Sequence, residues 1–149
     1  MILDELLEFV DATAIATATG AALAGDVIDL GAVPQDFGHG KAMYWVVNIS
    51  TAVTSGAGAT VQFKLMSDAA AAINPATGTV HVDTGAIAKA TLVAGYMRVY
   101  PMPLGVGNVY ERYLGVTTTV GTAVLTAGAF NSFLTYDPSY WKSYADGVN

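Results

Sequence analysis

Short stretches in which apolar and polar residues alternate, separated at strand-length intervals by glycine, proline and asparagine turns, are the feature that most constrains this chain. Residues 60–67 show it best, with Val61, Phe63 and Leu65 on one face and Gln62 and Lys64 on the other. A strand turns successive side chains to opposite sides, so this stretch is half buried. Residues 43–49 are apolar almost throughout and rich in β-branched and aromatic types, which predicts a central strand buried on both faces. Residues 96–100, 113–120 and 129–136 read as further strands, and 12–19, 26–30 and 79–83 as weaker ones.

Turn signals at 38–40, 55–58, 74–78, 101–105 and 127–128 divide these runs. About eight strands in one domain predict an all-β, antiparallel sandwich or closed barrel. Helix is expected only at 3–9, where Leu3, Leu6 and Leu7 share a face, and in the run 68–73. No internal repeat points to a solenoid or propeller. The division expected is an acidic N-terminal arm or short helix over 1–11, a sandwich over 12–136 and an aromatic tail over 137–149.

Composition narrows the function. Of the 149 residues 53% are hydrophobic and only 12% charged, against about 25% charged in ordinary soluble domains. Part of the surface is therefore expected to face something other than water. Twelve carboxylates against six Lys and Arg leave a formal charge of −6, and the six basic residues are scattered singly. Direct nucleic-acid binding is not expected from that arrangement. No apolar run reaches the roughly 18 to 20 residues that span a bilayer, so no membrane partner is expected. The acidic N-terminus is unlike a signal peptide, and the chain reads as a soluble product of the cell that makes it. Without cysteine there is no disulfide, thiolate metal site or cysteine nucleophile.

Chemistry is sparse. His39 lies among glycines in a turn, and His81 with Asp83 shares a strand face at a spacing that supplies half a metal site or simply a polar pair. Asp26 and Asp29 fall on opposite faces if their stretch is extended. Nucleophile-elbow, phosphate-loop and zinc-protease motifs are absent, and 105–109 lacks the third glycine of a dinucleotide fingerprint. The expectation is a protein without catalytic residues, cofactor or metal. Tyr140, Trp141 and Tyr144 form the densest aromatic cluster, suited to lying over the sandwich edge, anchoring an interface or stacking on a sugar. Glu111 and Arg112, if they open a strand, point to opposite faces, one of them toward the core or a subunit contact.

Met1-Ile2-Leu3-Asp4-Glu5-Leu6-Leu7-Glu8-Phe9 with Asp11-Ala12, then Asp26-Val27-Ile28-Asp29-Leu30-Gly31, Gly58-Ala59-Thr60-Val61-Gln62-Phe63, Ala94-Gly95, Glu111-Arg112-Tyr113-Leu114 and Leu125-Thr126-Ala127-Gly128 together resemble the cement, or capsid decoration, proteins of tailed bacteriophages. The resemblance is to the family typified by the cement protein of a short-tailed Bordetella phage. It implies a jelly-roll sandwich on the outer surface of a virion capsid, made in the host cytoplasm, bridging adjacent major capsid proteins and associating with itself as a homo-dimer or homo-trimer. The interface residues expected are Leu3, Leu6, Leu7, Glu8, Glu111, Arg112, Tyr140, Trp141 and Tyr144. The alternatives are a jelly-roll carbohydrate-binding module using Trp45 and the aromatic tail, another virion structural protein, or an enzyme built on strand-borne carboxylates or the His81 and Asp83 pair.

Overall fold

The computed structural model describes residues 5–32, 41–105 and 107–138. Among these residues a 3-10 turn, Glu5–Leu7, leads into nine strands: β1 Glu8–Ala14, β2 Gly20–Asp29, β3 Tyr44–Thr54, β4 Thr60–Asp68, β5 Thr79–Asp83, β6 Ile87–Ala88, β7 Met97–Pro101, β8 Tyr113–Gly121 and β9 Ala127–Thr135. The count exceeds the expected eight because of the two-residue β6. All pairings are antiparallel. One sheet runs β1-β9-β3-β7 and the other β2-β8-β4-β5, with β6 also paired to β4.

The sheets face each other across one core. Trp45, Val47 and Ile49 of β3 and Phe130 and Leu134 of β9 meet Val61, Phe63 and Leu65 of β4 and Leu114, Val116 and Val120 of β8. Phe63 and Phe130 touch across the gap, ring centroids 5.1 Å apart and tilted by 55°. That geometry is favoured by the ring quadrupoles. Trp45 is wholly enclosed, and its indole N–H donates to Ser132 Oγ at 2.8 Å, satisfying the one polar group it carries inside. Val46 on the opposite face of β3 is buried too, as the continuous apolar run requires.

Two helical expectations are corrected. Among the described residues, the segment 3–9 holds only the turn Glu5–Leu7 before Glu8 enters β1. Glu8 and Phe9 lie in a strand because β1 pairs with β9, Glu8 opposite Phe133. Of the run 68–73, Asp68 ends β4 and 69–73 form a loop, in which the Asp68 carboxylate accepts the Ala70 and Asn74 N–H groups at 3.1 and 3.2 Å and so competes with helical hydrogen bonding. The loop lays Ile73 against the outer face of β8, where a Cβ added to Gly115 would stand 2.7 Å from Ile73 and 3.0 Å from Val27.

At one end of the sandwich four loops each pass from one sheet to the other: 15–19, 55–59, 89–96 and 122–126. They are joined by hydrogen bonds. Leu125 N–H donates to Thr17 at 2.9 Å, Thr126 N–H to Thr54 at 2.8 Å, and Lys89 N–H to Ala59 at 3.0 Å. The Ser55 hydroxyl donates to the Val124 carbonyl at 2.7 Å, and the Lys89 ammonium to the Ser55 carbonyl.

Candidate functional site

The described carboxylates concentrate on one flank, where the Glu5–Leu7 turn lies beside β2. A cleft of about 610 Å³ is lined there by Glu5, Leu6, Glu8, Asp26, Val27, Ile28 and Asp29. A smaller one of about 180 Å³ adjoins it and adds Asp11. The side chains gather because β2 is irregular. Its register with β8 shifts between Ala24 and Ile28, so Asp26 and Asp29 both reach the cleft. The expectation that they fall on opposite faces applies to an unbroken strand; between Ala24 and Ile28 β2 takes four residue steps against two in β8, and the regular alternation is lost across that stretch.

Glu8 senses this crowding. Burial first, then the carboxylates of Asp11 and Glu5, push its carboxyl above the ordinary range. Asp29 is shifted the other way, to about 2, by hydrogen bonds from Arg112 and from the Gly31 N–H. Arg112 grips Asp29 with two donors, Nε at 3.0 Å and Nη2 at 2.8 Å, while its guanidinium lies 4.9 Å from the Tyr113 ring centroid. This fork-shaped pairing fixes the guanidinium's direction, but both side chains are nearly half exposed.

The expected interface residues are thus divided. Leu6 is 79% exposed at the cleft, whereas Leu7 packs on the core, so these two leucines do not share a face. Glu8 lines the cleft. Strand β8 begins at Tyr113, after Glu111 and Arg112. Glu111 turns inward, accepting the Thr79 hydroxyl at 2.8 Å while its N–H donates to Ser67 Oγ at 3.0 Å. Arg112 turns outward to Asp29 of the same chain. Leu3, Tyr140, Trp141 and Tyr144 lie outside the described residues, as does His39.

His81 and Asp83 do not converge as metal ligands. His81 stacks on Tyr110 with centroids 3.9 Å apart and pairs with Ser67 Oγ at 2.7 Å, while burial lowers its pKa against the opposing effect of Glu111. Asp83 accepts the Gln62 amide with both of its oxygens, at 2.6 and 2.8 Å, and the Gly85 N–H at 2.8 Å. Among the described residues no three acidic, histidine or cysteine side chains form a metal-binding group, and no helix is long and apolar enough to cross a membrane. Trp45, enclosed in the core, offers no sugar platform.

Sequence reasoning missed the opposite kind of surface, the loop end. In the loops 15–19, 55–59, 89–96 and 122–126 only Lys89 is charged at neutral pH, and its ammonium is held by Ser55. Val93 and Val124, in the loops 89–96 and 122–126, are 53% and 58% exposed. The signal was present as turns without charge, but only the fold shows that they meet.

No curated protein matches the chain. The model of the family described as Bbp16 matches residues 9–134, from the second residue of β1 almost to the end of β9. The chain therefore belongs to the Bbp16 family, whose name points to a protein of a Bordetella phage.

Proposed function

We propose that this chain is a structural virion protein of the cement or decoration type, which binds the outside of a phage capsid and stabilises it by bridging adjacent major capsid proteins. The observation that carries the reading is the family match over the whole sandwich. The strand orders β1-β9-β3-β7 and β2-β8-β4-β5 support a jelly roll, since each sheet interleaves early and late strands as two nested Greek keys do.

A protein of this type acts by binding rather than turnover. Contacts made only in the assembled shell lower its free energy and must all be lost for the shell to open. Repetition over many copies lets modest contacts suffice. The acidic flank of Glu5, Glu8, Asp11 and Asp26 suits basic patches on the major capsid protein, and the edge strand β2 beside it has backbone groups for strand pairing. Copies of the chain associate with one another as a dimer or trimer. Neither nucleic acid, membrane nor cofactor takes part.

Cosedimentation with purified capsids lacking the protein tests this reading. Saturable binding and a higher shell-opening temperature are expected, with Glu8→Gln/Asp26→Asn weakening binding and flattening its salt dependence. Failure to sediment with capsids at micromolar concentration, with unchanged shell opening, refutes it.

A further inference from the structure

Strand β7 is an edge of its sheet, paired with β3 alone. The Tyr96 carbonyl accepts the Ile49 N–H at 2.9 Å and the Met102 N–H donates to the Met43 carbonyl at 2.9 Å, so the even-numbered residues along β7 turn their backbone groups toward β3 and the odd-numbered ones turn theirs away. The N–H and C=O groups of Met97 and Val99 and the carbonyl of Pro101 therefore face outward, and among the described residues no hydrogen bond reaches them. The other edges are better covered. Strands β1 and β2 meet at Phe9 and Gly25, and the Asn108 side chain donates to the Val80 carbonyl of β5 at 3.1 Å.

Side chains distinguish this edge too. Tyr96, Arg98 and Tyr100 follow one another on the core side of β7, opposite the inward-pointing Ile49, Val47 and Trp45. Both tyrosines pack on the core, and Arg98 stands exposed between them. Its Nε donates to the Tyr96 hydroxyl at 2.6 Å and its guanidinium lies 5.6 Å from the centroid of that ring, which holds the group in place while Nη1 and Nη2 bond nothing among the described residues. Arg112 has Asp29 as its carboxylate; Arg98 has none within ion-pair reach among the described residues. A guanidinium steadied through Nε, with two terminal donors free, is half of a fork that a carboxylate completes. On the opposite face Met97 and Val99 are half-buried.

We propose that the free edge of β7 takes up an extended segment of another protein as an added strand, one in which apolar residues alternate with an aspartate or glutamate set opposite Arg98. Met97 and Val99 supply the backbone ladder and the apolar side, and Arg98 supplies the selection. Opposite charges on neighbouring strands attract and like charges repel, and a charge set on the inner side of an edge bars strands that cannot answer it. This argues against a second copy as the occupant. Two copies joined edge to edge through β7 bring both Arg98 side chains to the same face of the joined sheet, cation near cation, whereas an acidic strand neutralises the one that is there. The site goes beyond the decoration reading, which uses the acidic flank at the opposite edge of the same sheet, where Glu8 and Asp11 lie on β1.

A labelled nonapeptide of alternating threonine and valine with glutamate at its centre, and its counterpart with glutamine there, are titrated against the wild-type chain and Arg98→Gln, with amide chemical shifts followed by NMR. The wild-type chain is expected to bind the glutamate peptide about fivefold tighter than the glutamine one, with the Met97 and Val99 amides moving and the preference fading as salt is raised. Arg98→Gln, at an exposed position, is expected to keep its melting temperature and bind the two peptides alike. Val99→Pro removes one outward N–H and leaves the β3 ladder whole, and is expected to bind neither. Equal binding of the two peptides by the wild-type chain, no binding at millimolar peptide, or shifts at β2 or β5 in place of β7 overturns the proposal. Met97 and Val99 amides that move with protein concentration alone put a second copy on this edge and overturn it likewise. None of these readouts involves capsids, so the decoration role stands or falls separately.

Discussion

Gly25 in β2 presses against the backbone of Phe9 in β1: a Cβ built on it would lie 2.0 Å from the Phe9 carbonyl oxygen and 2.9 Å from a Val10 methyl. The glycine also holds φ at 64°, a conformation that costs other residues roughly 1–2 kcal/mol. Here the edge strands of the two sheets approach with no room for a side chain. Strain and overpacking together predict that Gly25→Ala loses about 3 kcal/mol. Urea unfolding measures this, and a loss below about 0.5 kcal/mol, within the scatter of surface substitutions, contradicts the close approach.

Ser132→Ala leaves the Trp45 indole N–H without its acceptor inside the core. A buried donor stripped of its partner costs about 1–3 kcal/mol. Chemical denaturation is expected to show that loss with an unchanged fold by circular dichroism. Equal stability of wild type and variant would mean that the indole finds another acceptor.

Two acidic groups predict opposite pH dependences. The Glu8 carboxyl is raised above its ordinary 4.5, so the folded state favours its protonated form, and that advantage fades as pH rises through the raised value. Glu8→Gln should therefore stabilise the protein at neutral pH and make no difference well below pH 4.5. Asp29 is lowered from 3.8 to about 2, so its contribution is present above 3.8 and disappears as pH falls toward 2. Melting curves of Asp29→Asn and wild type should differ at neutral pH and converge in that acid window. Parallel curves for either variant over the whole range would contradict the assigned surroundings.

Thr122 also carries a strained backbone, with φ at 70°. Asparagine tolerates the left-handed region better than a β-branched residue. Thr122→Asn is therefore expected to gain about 1 kcal/mol, read as a higher melting temperature. A drop would show that the threonine side chain contributes more than its strain removes.

The strands were legible in the sequence because each carries its own pattern. Alternation at Val61, Phe63 and Leu65 and the apolar run around Trp45 mark core strands whatever their neighbours are. Segment 79–83 matches β5 residue for residue. Ends were less legible: the weak strand expected at 26–30 runs from Gly20 to Asp29. Its alanines carry little hydrophobic signal, and Gly25 marks a bulge that a simple alternation misses. The alanine run after Asp68 looked helical because propensity does not show a carboxylate capturing nearby N–H groups. Arg112 and Asp29, 83 positions apart, have no local signal, and neither has the gathering of four uncharged turns at one end.

Those turns have a mechanical consequence. Each ties a strand of one sheet to a strand of the other, and hydrogen bonds link the turns sideways. A pull applied at that end is shared between both sheets, and their ladders are strained along the strands, many bonds at once, instead of being unzipped bond by bond from an edge.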